Sequence, residues 1–552
     1  MTFPWLVVGA LGTAAVAWIL ARATRQYAPI AAVAGAVVLY LHGWLYFHLT
    51  SDDAYISFRY ARNLAEGRGL VWNPGQHVEG YTNFSWVLLL AGLTKAGADT
   101  VVSARWAGFG FAVIAGAATY LLATQLATGA AGRVGGLVAA LLLAACGSWA
   151  AWATAGLENP MFGAIAVVAV LLHLREQDGQ RMPLSGAAWA VAAMTRPDAI
   201  ALAGMSGAFK LAEAALRARR DRRSIRREAI RLLAWAAGFA LIYAPYFAWR
   251  YHEYGWFYPN TYYAKVGSGT DQWARGLAYL ASIDEQYALV LLLLVPFAAT
   301  LGDARPARLL YVFALVVTWL GYVVYVGGDS LVRLRLFAPI APLFYAAVAG
   351  AGAALVASLA RGRPRLGMEA AAIVAVAGLM AFTLHASGTD DGIPADRRAV
   401  ADRVTIGRWL RREMPDETTV ALIPAGAIPY ESRLPSIDML GLNDEHIAHA
   451  DVPLGKFGAG HEKFDTAYVL GRSPDIIIMQ DELTSSPWQQ ADYDILAGGI
   501  IPARIDMLRN AQLWLRYQPR TVKLGEGRWF NLLVRNDAQD VLARTQFPLP
   551  AR

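Results

Sequence analysis

Long apolar segments recur through most of this sequence, and they constrain the fold more than any other feature. A helix needs about 20 residues to cross a lipid bilayer, so apolar segments of this length predict membrane-spanning helices. The segments that begin at 160, 184 and 286 are shorter, and we expect them to be tilted or to cross only part of the bilayer. We predict a polytopic α-helical membrane protein with about twelve transmembrane helices, at residues 4–21, 28–48, 104–126, 133–153, 160–174, 184–195, 199–216, 232–250, 286–301, 309–326, 337–359 and 367–386.

The composition agrees with a membrane protein and excludes other classes. Of the 552 residues, 56% are hydrophobic and 16% are charged, whereas a soluble domain carries about a quarter charged residues. The high apolar content excludes a disordered chain. The single cysteine, Cys146, lies inside an apolar run, so we predict a core residue and exclude a disulfide-stapled scaffold.

The net charge of +7 does not indicate nucleic-acid binding, because the basic residues cluster in short loops between apolar segments. The positive-inside rule assigns such loops to the cytoplasm. If every apolar segment crosses, the segments 49–103 and 251–285, the turns 154–159 and 327–336, and everything after residue 386 lie outside. The residues that set this orientation are Arg22, Arg25, Arg305, Arg308, Arg361, Arg363 and Arg365 and the run 217–231.

A second domain is predicted at residues 387–552, after a transmembrane domain at residues 1–386. In this part acidic residues, proline and glycine become more frequent, and no run is long enough to span a membrane. Helical spacing covers residues 399–414. Short buried strands are predicted at 419–423, 436–439 and 474–479. We therefore expect a soluble α/β domain on the extracytoplasmic side.

Two adjacent carboxylates, Asp52 and Asp53, follow the second apolar segment at the predicted outer interface. Charges at this position bring no folding benefit and cost desolvation, so they indicate a task. The aromatic and apolar residues after them recur at helical spacing, which predicts a helix on the membrane surface with Arg59 and Arg62 toward the headgroups. The alternative is that the aspartates only cap this helix, which needs one of them.

The sequence of this region resembles those of the GT-C glycosyltransferases, which take sugars from polyprenyl-phosphate donors. The segment DDAYISFRYARNLAEGRGLVWNPGQHVEGYTN at 52–83 is similar to the bacterial branch that includes the mycobacterial terminal arabinofuranosyltransferase. Further matching pieces are GLENP at 156–160, TRPD at 195–198, PNTYYAK at 259–265, GGDSLVRLRLFAP at 327–339 and AGAIPYESRLPSIDMLGLNDEHIA at 425–448. The resemblance implies a GT-C fold and, as the sugar, arabinofuranose.

Transfer of a sugar from a lipid phosphate to a hydroxyl needs a base for the acceptor proton, and a carboxylate at the membrane face can serve. Asp53 and Asp52 are the candidates, with Asp53 preferred. The departing phosphate needs Lys or Arg at the outer leaflet. Lys265, Arg335 and Arg333 fit this role, although Lys265 can also be read as a snorkelling anchor.

Other polar residues of the matching segments are predicted to line the same membrane face and to bind substrate. Arg196 beside Asp198 can also be a purely structural pair. Nearby aromatic residues fit either sugar stacking or an interfacial belt, namely Trp72, Tyr81, Trp86, Tyr262 and Tyr263. The predicted substrate-binding residues are Arg59, Glu79, Asn83, Glu158, Arg196, Asp198, Asn260 and Asp329.

These motifs do not require a cofactor, but they are compatible with a bound divalent cation. The paired aspartates with Glu79 or Asp329 offer oxygen ligands suited to Mg²⁺ or Ca²⁺. No His/Cys cluster has zinc-ligand spacing. The histidines of the C-terminal part, His446, His449 and His461, are therefore interpreted as surface or core residues.

These observations predict an inverting glycosyltransferase in the bacterial cytoplasmic membrane, with its site and C-terminal domain outside. It would move arabinofuranose from a polyprenyl phosphate to an envelope glycan or surface protein. One alternative transfers a hexose or aminosugar by the same mechanism. A second is a transporter or flippase for lipid-linked sugar, which predicts charges near helix midpoints and an inverted repeat. A third is a membrane-anchored glycan-binding or assembly protein.

Overall fold

Helices form most of the protein, and the computed structural model describes residues 3–178, 182–221, 224–267, 269–300, 306–359, 365–388 and 392–547. The first nine helices are α1 (Phe3–Thr24), α2 (Tyr27–Gly43), α3 (Asp52–Ala65), α4 (Phe84–Lys95), α5 (Thr100–Leu126), α6 (Gly129–Ala145), α7 (Gly147–Trp152), α8 (Asn159–Gln177) and α9 (Ser185–Thr195). They are followed by α10 (Ala199–Arg220), α11 (Ile225–Tyr254), α12 (Asn260–Lys265), α13 (Thr270–Tyr287), α14 (Leu289–Thr300), α15 (Pro306–Val326), α16 (Ala341–Leu359) and α17 (Arg365–Gly388).

The polytopic helical fold is confirmed, and each predicted apolar segment coincides with one or two helices. Within the described ranges, seven helices are long and apolar enough to cross a membrane, namely α1, α5, α8, α10, α11, α15 and α16. Helices α13 and α14 meet at a bend of 82° and add an eighth span if taken together. The predicted segments 28–48 and 133–153 contain the shorter apolar helices Tyr27–Gly43 and Gly129–Ala145, and the segment 367–386 contains the apolar stretch Ala372–His385. Within the described residues, full spans by length are therefore fewer than the predicted number.

Small residues let the central helices approach closely, as is usual where lipid replaces water as the solvent. A methyl group added to Gly135 of α6 would lie 3.0 Å from the carbonyl oxygen of Ala349 in α16. One added to Gly136 would lie 2.7 Å from the ring of Tyr120 in α5. Cys146 is fully buried, as predicted.

The orientation of the chain stays a prediction. Among the basic residues that predict this orientation, Arg305, Arg361, Arg363 and the pair at 222–223 lie outside the described residues.

The described helix α17 ends at Gly388 and the next begins at Gly392. The predicted domain boundary at 387 falls at the end of α17.

The C-terminal part forms a five-stranded sheet covered by helices. Its elements are α18 (Gly392–Glu413), β1 (Val420–Leu422), α19 (Ala427–Ser432), β2 (Ser436–Asp438), α20 (Glu445–Ala448), α21 (Thr466–Gly471), β3 (Ile476–Ile478), α22 (Gln490–Leu496), α23 (Pro502–Arg509), α24 (Ala511–Arg516), β4 (Tyr517–Gly525), β5 (Arg528–Arg535) and α25 (Gln539–Leu542). The strand order is β2-β1-β3-β5-β4. Strand β1 is parallel to β2 and β3, whereas β5 is antiparallel to β3 and β4.

The three predicted strands and the predicted helix are all present in this domain. Alternate side chains of β1 face opposite sides of the sheet, as the pleat requires. Leu422 packs with Trp409 and Leu410 of α18, whereas Ala421 packs against α21 and α23 on the other side. The β4–β5 hairpin, which completes the sheet, was not predicted from the sequence.

Helix α3 is enclosed by the C-terminal domain rather than exposed to lipid headgroups. Arg59 is 2% exposed and donates hydrogen bonds to the carbonyl oxygens of Trp72 (2.6 Å), Pro429 (2.5 Å) and Leu434 (2.9 Å). Arg62 donates to the carbonyl oxygen of Tyr430 at 2.7 Å. The helix was predicted correctly, but the headgroup-facing placement of Arg59 was wrong, because its guanidinium is buried against the C-terminal domain. Its substrate-binding role stays a prediction.

Asn260, the first residue of α12, belongs to the same docking interface. Its side-chain amide donates to the carbonyl oxygens of Gly441 (2.8 Å) and Leu442 (3.1 Å). Its backbone N–H donates to the carbonyl oxygen of Glu79 at 3.0 Å. Asn260 therefore has a structural role in this interface, and its substrate contact stays a prediction.

Candidate active site

Asp53 lies between two cations that come from distant parts of the chain. Its Oδ2 is 3.9 Å from Nζ of Lys265 and 3.7 Å from Nη1 of Arg335. The side chain of Asp53 is 28% exposed, and those of Lys265 and Arg335 are 25% and 15% exposed. The structure thus brings the preferred candidate base and two candidate phosphate ligands to one accessible place.

The start of α3 is fixed by the GLENP turn beneath it. The backbone N–H of Ser51 donates to the carbonyl oxygen of Ala155 at 3.0 Å. Gly156 has φ +94°, and a methyl group there would lie 2.9 Å from Phe58 and 3.0 Å from Ala54 of α3. Only glycine fits this close approach and this backbone conformation.

Arg335 is aimed at the site by an irregular turn. Arg333 and Leu334 have φ of +57° and +49°, a left-handed conformation that is unusual for residues with a side chain. Nε of Arg335 donates to Oδ2 of Asp329 at 2.5 Å. Burial opposes the charge of Asp329, but Arg335 and Lys265 outweigh it and hold the pKa of Asp329 below its ordinary value. Asp329 is therefore an anionic support for Arg335.

Asp52 points away from this cluster and holds the C-terminal domain. Its carboxylate accepts the backbone N–H groups of Gly426 (3.2 Å) and Ala427 (3.0 Å), and Arg403 lies at 3.6 Å. Burial raises the pKa of Asp52, an effect that Arg403 and the bond from Ala427 oppose. A methyl group on Gly426 would lie 2.0 Å from the backbone oxygen of Asp52. The two adjacent aspartates therefore have different tasks.

A buried hydrogen-bonded chain lies behind the site. Asn83 donates to Oε2 of Glu158 at 2.7 Å. Arg196 donates to Oε1 of Glu158 at 2.6 Å and to Oδ2 of Asp198 at 2.6 Å. Side-chain exposure is 10% for Arg196 and 4% for each of the two carboxylates. Because these groups satisfy one another, the structural interpretation of Arg196 and Asp198 is favoured over direct substrate contact.

Glu79 is also paired inside the protein. Its carboxylate accepts Nε of Arg250 at 2.7 and 2.9 Å, and both side chains are almost fully buried. Burial raises the pKa of Glu79 to about 7 although Arg250 opposes this shift.

Arg333, a candidate phosphate ligand, is 4% exposed, and its guanidinium lies 5.5 Å from the ring centre of Tyr46. The proposed phosphate site therefore does not include it.

The predicted divalent-cation site does not fit these geometries. Asp52 accepts backbone N–H groups, Glu79 accepts Arg250 and Asp329 accepts Arg335. Among the described residues, no group of three or more His, Cys, Asp or Glu side chains is arranged to hold a metal ion. No step proposed below uses a metal.

Several of the aromatic candidates are part of the core. Trp72, Tyr81 and Trp86 are at most 2% exposed, so they cannot stack on a sugar. Tyr262 and Tyr263 are partly exposed beside Trp256, which is 37% exposed. Their placement on α12, which ends at Lys265, keeps them next to the candidate site.

Residues of the C-terminal domain also lie at the candidate site, and they were not predicted from the sequence. The segment 455–462 lies against Lys265 and Ser330, and His461 is part of it. Arg403, on α18, connects Asp52 to Asp481, which it contacts at 2.5 Å. The glycine-rich stretch around His461 was the available signal, because such stretches permit close backbone approach.

Comparisons with known proteins agree with this architecture. Residues 395–525 match a family model described as a domain of unknown function, DUF8728. The terminal β-(1→2)-arabinofuranosyltransferase of Mycobacterium tuberculosis is 28% identical over 273 residues, which cover 46% of this chain and 41% of that protein. The match therefore spans less than half the length of this curated relative.

Solved structures with a similar fold cover nearly the whole chain. ArnT from Cupriavidus metallidurans bound to undecaprenyl phosphate has a TM-score of 0.56 and 14% identity, covering 92% of this chain and 98% of its own. The oligosaccharyltransferase AglB from Archaeoglobus fulgidus, in complex with an inhibitory peptide and a dolichol-phosphate, has a TM-score of 0.51 and 12% identity, covering 92% and 74%. The resemblance seen in the motifs is thus confirmed at the level of the fold, and the chain has the fold of the GT-C glycosyltransferases.

Proposed function

We propose that the protein is an inverting glycosyltransferase that uses a polyprenyl-phosphate sugar donor. The observation that carries the proposal is the meeting of Asp53, Lys265 and Arg335 within 4 Å in a multi-pass helical membrane protein. A carboxylate beside two cations provides a base next to an anion site, which is what transfer from a lipid phosphate requires. The GT-C fold, shared with proteins that bind undecaprenyl phosphate and dolichol-phosphate, supports this assignment.

In the proposed reaction the acceptor oxygen attacks the anomeric carbon of the sugar and its proton passes to Asp53. The bond between this carbon and the phosphate oxygen breaks, and its electron pair stays on the phosphate. Lys265 and Arg335 are 3.9 and 3.7 Å from Asp53, longer than a normal hydrogen bond of about 2.7–3.2 Å. Their N–H donors can therefore turn toward a phosphate while they stay close to the base.

We assign arabinofuranose as the sugar and an envelope glycan or surface protein as the acceptor class. The support is the similarity to the mycobacterial arabinofuranosyltransferase, which is 28% identical over 273 residues. The alternative donor class is a hexose or aminosugar, transferred by the same mechanism.

We expect the purified protein to transfer arabinofuranose from a polyprenyl-phosphoryl donor at least about tenfold faster than mannose or 4-amino-4-deoxyarabinose, because a pocket shaped for one sugar loses contacts with the others. Radiolabelled donors and a lipid-extraction assay would measure this. A faster rate with a hexose or aminosugar would remove arabinofuranose and leave the enzyme class. Movement of intact donor across the bilayer without transfer would favour the flippase alternative.

The proposed reaction side is outside the cytoplasm, together with the C-terminal domain. A cysteine at Asp416, whose side chain is 81% exposed, should react with an impermeant thiol reagent in intact spheroplasts of a Cys146→Ser background. A cysteine at Arg227, 66% exposed in the basic run, is the matched control and should react only after lysis. The reverse pattern would overturn this orientation, which rests on the positive-inside rule.

A further inference from the structure

One segment of the C-terminal domain, residues 455–462, covers the candidate site and is here called the cover segment. It is fastened to the membrane domain through Glu462, whose side chain is 1% exposed. Glu462 accepts the backbone N–H groups of Gly455 (2.7 Å) and Phe457 (2.8 Å) and pairs with Arg275 of α13 at 3.3 Å. Arg275 also donates to the carbonyl oxygen of Phe457. The segment is therefore held at a defined position rather than left as an open loop.

Glycines allow the cover segment to touch the site residues directly. Gly460 has φ +83°, and a methyl group there would lie 2.9 Å from Cε of Lys265. A methyl group on Gly458 would lie 3.7 Å from both Nδ1 of His461 and Cβ of Ser330. Ser330, next to Asp329, donates to the carbonyl oxygen of Ala459 at 3.3 Å. His461 thus lies in a segment that packs against Lys265 and Ser330.

The charged groups that face His461 come from three different elements. They are Lys265 of α12, Asp53 of α3 and Asp329 of the turn after α15, with Arg335 behind Asp329. Its chain neighbour Glu462 is already paired with Arg275. Burial, followed by the charge of Lys265, lowers the pKa of His461, while the two aspartates oppose this shift. His461 is therefore neutral at neutral pH when no substrate anion is present.

We propose that His461 is a third phosphate contact, which hydrogen-bonds the polyprenyl phosphate as it leaves the sugar. The inference rests on the proposed function and adds a residue from the C-terminal domain to the site. It gives this domain a direct part in catalysis, in addition to the docking through Asp52 and Arg59.

The charge change in the reaction explains why a histidine suits this position. The donor is a phosphodiester with one negative charge, whereas the product is a monoester whose second ionisation has a pKa near 6, as for a phosphorylated side chain. Without ligand, the two positive charges of Lys265 and Arg335 balance the two negative charges of the aspartates Asp53 and Asp329. A bound phosphate therefore gives the site a net negative charge. A negative site favours the imidazolium form of His461. One ring N–H of His461 bonds the carbonyl oxygen of Ala459, and the other then becomes a charge-assisted donor to the product phosphate.

The test measures the affinity of undecaprenyl phosphate in detergent between pH 6 and 8 for the wild type, His461→Gln and His446→Gln. Glutamine keeps a hydrogen-bond donor but cannot take up a proton. We expect His461→Gln to weaken binding about tenfold at pH 6 and by a smaller factor at pH 8, the scale of one hydrogen bond to a charged group. A monoanionic phosphonate analogue of the donor should lose less affinity than the product does.

His446 is the matched control, because it is 52% exposed and bonds Asp465 at 2.8 Å in the same domain. Its variant should bind like the wild type at every pH. Equal affinities for the wild type and His461→Gln, or a loss that does not change with pH, would overturn the phosphate contact. If the wild type itself does not bind undecaprenyl phosphate while its melting temperature shows a folded protein, the proposed function fails and takes this inference with it.

A second variant moves His461 without replacing it. Gly460→Ala combines a collision with Lys265 and an unfavourable φ of +83°, so it should displace the cover segment. We expect it to weaken undecaprenyl phosphate binding and to reduce the pH dependence as His461→Gln does. Unchanged binding in this variant would count against a contact through the cover segment.

Discussion

Asp53→Asn should lower the turnover number by about a hundredfold or more, because it keeps the size of the side chain and removes the base that takes the acceptor proton. Donor affinity should change far less, since the amide still occupies the same place between Lys265 and Arg335. Single-turnover kinetics with a saturating donor would measure the chemical step, and equilibrium binding of a donor analogue would measure affinity.

Asp52→Asn is the matched control for this substitution, because the same chemical change is made one residue earlier. The amide oxygen can still accept one N–H from the segment at Gly426 and Ala427, whereas the ion pair with Arg403 is lost. We expect a loss of turnover of less than about tenfold and a lower melting temperature, since one charge-assisted contact of about 1.5–3 kcal/mol is weakened. Near-normal turnover of Asp53→Asn would show that the base has been assigned wrongly, and a larger loss for Asp52→Asn would move it to that residue.

Lys265→Met and Arg335→Met should each weaken binding of a non-hydrolysable polyprenyl-phosphosugar analogue by about 1.5–3 kcal/mol, the scale of a hydrogen bond to a charged group. Methionine keeps an unbranched apolar side chain and removes the charge. The Arg335 substitution should also lower stability, because Asp329 loses the partner that it contacts at 2.5 Å. Lys265→Met has no such partner at hydrogen-bond distance in the described residues, so its effect reports binding more directly.

The double variant tests whether both cations hold one phosphate. Two groups that contact the same phosphate influence each other's contribution to binding. The loss of binding free energy in the double variant should therefore differ from the sum of the two single losses by more than about 0.5 kcal/mol. Asp53 Oδ2 lies within 4 Å of both cations, which makes such coupling expected on geometric grounds. Strictly additive losses would show that the two cations do not hold one phosphate, and Lys265 would then be interpreted as a snorkelling anchor at the membrane surface.

The transmembrane helices and part of the C-terminal domain could be predicted because their signals are local. A run of apolar residues long enough for the bilayer predicts a helix whatever its neighbours are. The short strands 419–423, 436–439 and 474–479 stood out as buried runs of β-forming residues. The β4–β5 hairpin was missed, because its strands carry arginine, lysine and proline among their apolar residues and do not read as continuous apolar runs.

The candidate site could be predicted as a list of residues but not as a geometry. Asp53, Lys265, Arg335 and Asp329 were selected by their residue types and by their place in motif segments, and they do lie together. Arg59 and Asn260 were in the same motifs, yet their side chains hold the C-terminal domain. A motif does not distinguish a residue that contacts substrate from one that positions the segment carrying it.

The sequence by itself determined the membrane class, the positions of the apolar helices, the α/β character of the C-terminal part and the segments that form the site. These features depend on composition and on periodicities of a few residues, which a local pattern records. Only the tertiary structure decided which of two adjacent aspartates lies beside Lys265 and Arg335, and that the segment carrying His461 packs against Lys265. The reason is that the partner that turns Asp52 away, Gly426, lies 374 positions later in the chain, and such a contact depends on how the domains pack rather than on any local pattern.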